Sequence, residues 1–347
     1  MVNHSKAVLA ILVAGSLLFA ACARDNDEPV VTIDGSSTVF PITKAVSDSF
    51  EKREPVKVDV KEATKVQVGI SGTGGGFRRL CNKQIDIANA SRPITLTERA
   101  HCARNGVEFV ELPVAYDGLA VVVNPQNTWA SDITTEELRR LWEPQAKGKV
   151  TRWSQVRSGW PDEPIHLHGA GTDSGTYDYF REALVPDEAL RTDYSASEDD
   201  DVLVEAVAAD RNALGFFGYA YVYRNKDRLK RLAVDDGKPE NGAGPILPSP
   251  ETVQAGTYQP LSRPLFIYVS RAALERREVQ LFSSYYLMKG AKFAERVGYV
   301  GLPEKAYILA QRRLSARQTG SIFSRTPAGI GMSIDALLER ERAAASK

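Results

Sequence analysis

"GAGTDSGTYDYF", residues 169–180, runs from glycines and small hydroxyls straight into an aromatic segment that reads as a helix. The apolar "IHLH" before it reads as a strand, so the stretch is a strand-to-helix junction with its small residues at the turn. A helix N-terminus presents unsatisfied N–H groups and about half a positive charge. Glycine permits close backbone approach, while Ser and Thr add donors that also cap helices. The same design recurs at "DGSSTVFP" (34–41), "GISGTGGGF" (69–77) and "ANASRPI" (88–94), each after a strand-like run and two of them leading into a helix. A single junction is most simply a capped helix. Four of them at strand ends predict a cleft that receives an anion.

Working outward, "VVTIDG", "FPITKAVSDSFEKRE", "VKVDVKEA", "GGGFRRLCNKQ" and "IDIANAS" read as strand, helix, strand, helix, strand. That alternation predicts an α/β layer with a mostly parallel sheet and right-handed crossovers. "VEFVELPVAYDGLAVVVNP" (107–125) is too long for one strand of one sheet and reads as a crossing to another lobe. There "TTEELRRLWE" is a helix, "IHLHGAG" a strand, "SGTYDYFREAL" and "DDDVLVEAVAAD" helices, and "ALGFFGYAYVY" a strand. The segment "GKPENGAGPILPSP" (237–250) is loop. "RPLFIYVS" (263–270) crosses back, and "VQLFSSYYLMKGAKFAERVGYV" begins helices that pack on the first lobe. The expected architecture is two hinged α/β lobes: 30–115 with 264–347, and 116–263, with hinges near 115 and 263.

The 347 residues, 43% apolar and 25% charged, suffice for such cores. Lys plus Arg equals Asp plus Glu at 44 each, so no global field argues for nucleic acid or an anionic membrane as partner. Any anion must be met locally. The basic "MVNHSK" followed by "AVLAILVAGSLLFAA" and Cys22 reads as an export signal, residues 1–22. "FAAC" resembles a lipobox that would lipidate Cys22, with 23–29 as a tether; cleavage at "ACA" is the alternative. In an oxidising compartment Cys81 and Cys102 are expected to pair, closing a loop worth roughly 3 kcal/mol; two buried thiols are the alternative.

Nucleotide motifs fail: no G-K-[S/T] follows the glycines, and neither Gly-rich loop completes G-x-G-x-x-G. Serine-hydrolase chemistry at Ser174 lacks G-x-S-x-G and any downstream His. His166 and His168 share a strand face but have no further His or clustered Cys for a metal. No cofactor and no metal is expected. Arg92, at a strand end before Pro93, is the guanidinium expected to grip an oxyanion. Asp173 either caps its helix or accepts a hydrogen bond from an anion that still carries a proton, as monohydrogen phosphate does and sulfate does not.

On "IDGSSTVFPI", "GISGTGGGF", "DIANASRPI" and "GTDSGTYDYF", in that order, the chain resembles the phosphate-binding proteins of high-affinity phosphate ABC transporters over roughly residues 30–335. The resemblance implies a two-lobed Venus-flytrap fold, a non-enzymatic monomer, phosphate held between the lobes, and delivery to a membrane permease driven by an ATPase. It implies as ligands Ser37, Thr38 and Val39; Ser71 and Thr73; Ser91 and Arg92; and Ser174, Gly175 and Thr176 with Asp173. The best-known members carry the proton-accepting Asp in the third loop and the Arg just before the fourth. Here Ser91 and Arg92 occupy the former, Ala170 and Gly171 the latter, so Arg92 and Asp173 take those roles. The rival readings are a receptor for sulfate or molybdate and a secreted phosphatase.

Overall fold

The computed structural model describes residues 30–53, 64–172, 174–197, 199–323 and Ile334. Cys22, the expected strand "VKVDVKEA" (56–63), Asp173 and the C-terminal "LLERERAAASK" lie outside the described residues. The strands are β1 (Val30–Gly35), β2 (Lys65–Val68), β3 (Ile87–Ala90), β4 (Phe109–Val123), β5 (Asp132–Thr134), β6 (His166–Ala170), β7 (Ser195–Ser197), β8 (Ala213–Gly218), β9 (Lys230–Arg231), β10 (Ala233–Asp235) and β11 (Ser262–Ser270). One sheet runs β2-β1-β3-β11-β4-β8-β6-β7, with β9 added to β4, and β5 pairs separately with β10.

The parallel expectation holds at both ends, where β1 lies between β2 and β3 and β6 between β7 and β8. The middle differs: β11 is antiparallel to β3 and β4, and β4 to β8. The cause is topological. β4 leaves one lobe and β11 returns to it, so where they pair they run in opposite directions. Every residue of β4 is buried, its first part pairing with β11 and its part from Leu119 onward with β8. Continuous pairing through both crossings makes one curled mixed sheet.

The first three helices follow the first three strands: α1 (Phe40–Glu51), α2 (Gly72–Cys81) and α3 (Leu96–Arg104). Ile42, Val46 and Phe50 of α1 form a buried stripe at helical spacing, and Phe50 meets Phe282 of the long helix Arg277–Val297 edge-on at 5.2 Å. α2 and α3 cover the other face with Phe77 and Leu80 of α2, Cys102 of α3 and Ile94 from the loop between β3 and α3. A disulfide joins Cys81 at the end of α2 to Cys102 in α3. The second half has its own core around Trp142, Trp153 and the stacked pair Phe180–Phe216, whose centroids are 3.7 Å apart.

Two further differences from expectation have local causes. "ALGFFGYAYVY" is a strand only to Gly218, after which Tyr219–Arg224 is helical. Its alternating tyrosines mimic a strand, but Tyr219 and Val222 bury at i, i+3 spacing. Beyond the long helix, Val300 exchanges backbone hydrogen bonds with Tyr116 (2.8 and 3.0 Å), and Val300, Leu302 and Ala306 join the core of the second half. That segment packs against the crossing itself.

Candidate functional site

The first loop turns at Gly35, whose φ of +137° suits glycine and where a Cβ would stand 2.2 Å from the Asn89 carbonyl oxygen. This close approach seats the first loop on the third. Asp34 accepts from the Gly35 amide and pairs with Arg79, so its carboxylate is engaged within the loop. Ser37, Thr38 and Val39 form the turn into α1, with Val39 at the N-cap position and no side-chain cap. Gly76 of α2 packs on Gly35, where a Cβ would lie 2.7 Å from the Gly35 Cα.

The second loop is bound to the first by Ser71 N–H donating to the Gly35 carbonyl at 3.1 Å. Ser71 is the N-cap of α2, yet its hydroxyl makes no cap hydrogen bond. Thr73 Oγ1 accepts from the Ser91 amide at 3.1 Å and lies 3.1 Å from Ser91 Oγ. Loops one, two and three are therefore stitched into one surface at the carboxyl ends of β1, β2 and β3.

Arg92 is held by Glu98 in a two-pronged pair, Nη1 to Oε2 at 2.9 Å and Nη2 to Oε1 at 2.8 Å, and also donates to the Pro93 carbonyl. Glu98 belongs to a capping box with Thr95 at the start of α3. Burial alone would push the Glu98 carboxyl up, but hydrogen bonds from Arg92 and Thr95 hold it below the usual range. Arg92 thus fixes the third loop to α3.

The fourth loop arrives from the other half. Ser174 caps the helix Gly175–Leu184 by accepting from the Thr176 amide at 3.1 Å. A Cβ on Gly175 would sit 2.2 Å from Thr38 Oγ1 and 3.1 Å from Ser37 Oγ. The fourth loop touches the first only because position 175 has no side chain.

At this meeting point stands a residue the sequence reading did not assign to the site. Arg263 on β11 faces Asp117 on β4, its register partner. Both side chains are 7% exposed. Its Nη2 reaches Asp117 Oδ2 at 3.4 Å, Thr38 Oγ1 at 3.5 Å and the Gly175 carbonyl at 3.5 Å. Nε is buried with no partner among the described residues. The guanidinium carbon lies 3.7 Å from the Tyr179 ring centroid, a ring fixed by its hydroxyl on the Pro260 carbonyl. All three hydrogen bonds are at the long limit, so a buried cation with five donors is under-satisfied. Burial raises the Asp117 carboxyl above the ordinary value, opposed by Arg263.

The signal for this pair was present: isolated charges in apolar strands, Arg263 in "SRPLFIYVS" and Glu111 and Asp117 in "FVELPVAYDGLAVVV". Which charge faces which depends on antiparallel register. At the opposite end of β6, His166 bonds Asp210 at 2.5 Å, while burial lowers the His168 pKa. Among the described residues no group of three or more His, Cys, Asp or Glu could hold a metal ion.

An α/β fold with small-residue loops gathered from both halves around a buried cation is the architecture of a solute-binding protein. The PBP superfamily domain matches residues 20–289. The chain is 44% identical to protein SphX of Synechococcus elongatus, over 98% of this chain and 97% of that protein. It is 34% identical to the phosphate-binding protein PstS of Staphylococcus saprophyticus, over 87% and 91%. The crystal structure described as a possible phosphate binding protein from Planctomyces limnophilus matches with a TM-score of 0.73 and 44% identity, covering 84% of this chain and 99% of that one. The chain belongs to the PBP superfamily and, within it, to the family that includes SphX and PstS.

Proposed function

We propose that the chain binds inorganic phosphate outside the cytoplasm and hands it to a membrane permease driven by an ATPase, as the solute-binding component of a transporter and not as an enzyme. The observation that carries this reading is Arg263: a buried guanidinium with an unpartnered Nε where loops from both halves meet. An oxyanion there would gain close charge-assisted hydrogen bonds from a group that now has only long ones. Family membership names the oxyanion. Ser37, Thr38, Val39, Ser71, Thr73, Ser91, Ser174, Gly175 and Thr176 supply hydroxyls and amides, and Arg92 braces the third loop. Asp173 or Asp117 accepts the proton of monohydrogen phosphate.

The two lobes close on the anion by bending at the crossings near residues 115 and 263, with ligand contacts favouring the closed state. Among the described residues no helix is long and apolar enough to cross a membrane. Attachment is assigned to a lipid on Cys22. The test is calorimetric titration of the anion-free chain with phosphate and then sulfate at neutral pH. Tight phosphate binding with sulfate silent is the expected result; equal binding, or sulfate alone, refutes it.

A further inference from the structure

Arg263 has carboxylates on two sides, and they differ in kind. Asp117 lies on the buried side, its strand partner across β4 and β11. Glu182 lies 3.9 Å from Nη1, on the helix Gly175–Leu184 whose first residue meets Thr38, and its side chain is 33% exposed. Of the two carboxylates beside this guanidinium, Glu182 is therefore the one in contact with solvent. Glu182 also acts on the second arginine of the site: Arg92 is held protonated chiefly by its hydrogen bonds to Glu98, and Glu182 adds a smaller pull.

The helix itself gives no reason for this carboxylate. Glu182 stands in the last turn, where the macrodipole disfavours negative charge. Its position is explained by what it faces, an otherwise under-satisfied cation.

We propose that Glu182 is a built-in competitor of the bound anion. Before ligand arrives it partly neutralises Arg263; an oxyanion must displace it to use Nη1. Its presence lowers affinity and eases release, leaving room for an anion whose charge exceeds that of one carboxylate. The inference rests on the phosphate reading above.

The experiment compares phosphate affinity of the wild-type chain, Glu182→Gln and Glu182→Asp by calorimetry, with melting temperature as a check on folding. A screened contact at this distance and exposure predicts a dissociation constant roughly three- to tenfold smaller for Glu182→Gln. Glu182→Asp, which keeps the charge on a shorter arm, should fall between the two. The sign discriminates, because loss of a merely structural residue weakens binding. Unchanged or weaker binding by Glu182→Gln overturns the inference alone. A wild-type chain that binds no phosphate overturns the reading beneath it and the inference with it. Should Glu182→Gln melt well below the wild type, Glu182→Ala is measured by the same criterion.

Discussion

Replacing Arg263 by Gln removes a guanidinium that touches both the first and the fourth loop. With phosphate bound, Nε and one Nη are expected to donate to it. Two hydrogen bonds to a charged group are worth roughly 1.5–3 kcal/mol each, so at least about 3 kcal/mol is lost, more than about 100-fold in Kd. A second effect must be separated. Asp117 would be left buried without its cation, which ordinarily costs several kcal/mol of stability. Burial already raises its carboxyl, so it can escape by taking up a proton. The double variant Arg263→Gln, Asp117→Asn removes that liability. It should melt near the wild-type temperature and still bind phosphate at least about 100-fold more weakly. Arg92→Gln acts only through the third loop, since its guanidinium is already committed to Glu98. Its loss should stay under about fivefold. Calorimetry on the three variants decides the matter. Near-wild-type affinity for the double variant, or a larger loss at Arg92 than at Arg263, would refute the assignment.

Gly175→Ala should weaken phosphate binding by roughly tenfold or more, with little change in melting temperature. The new methyl would lie 2.2 Å from Thr38 Oγ1 and must push the fourth loop off the first; an unchanged titration would show that the loops need not touch. Cys102→Ser opens a link across 21 residues and should lower unfolding free energy by about 3 kcal/mol in denaturant, an effect that reductant should reproduce in the wild-type chain. Asp193 is held well below the usual carboxylate range chiefly by hydrogen bonds from Arg191. A depressed folded pKa stabilises above the unfolded value of about 3.9 and loses that stability as pH falls through the folded one. Asp193→Asn should therefore cost about 1 kcal/mol at pH 7, given its partial exposure, and the gap should close below about pH 4. A gap independent of pH would contradict that cause.

Much of this arrangement is local and so could be read from the chain. Short apolar runs such as "VVTIDG" and amphipathic runs such as "FPITKAVSDSFE" became β1 and α1. The loops between them were legible because Gly, Ser and Thr at strand ends have a local conformational reason to be there. The Thr95–Glu98 capping box was also written in "TLTE", and its Glu explains why Arg92 has a partner six residues away. What remained hidden depends on distance in sequence. Arg263 meets Thr38 across 225 residues and Asp117 across 146, through a register that no period discloses. The need for glycine at 175 is likewise visible only once Thr38 is beside it. "YAYVY" misled because alternating aromatics satisfy a strand pattern while burial follows the helical one.

The most direct measurement is a crystal structure of the chain grown with phosphate. The account predicts one phosphate between the halves, with oxygens within about 3 Å of Arg263 Nε or Nη1, the Thr38 hydroxyl and amides at the start of the helix Gly175–Leu184. Phosphate bound elsewhere, or bound there with the Arg263 guanidinium still turned to Asp117 and touching no ligand oxygen, would contradict it.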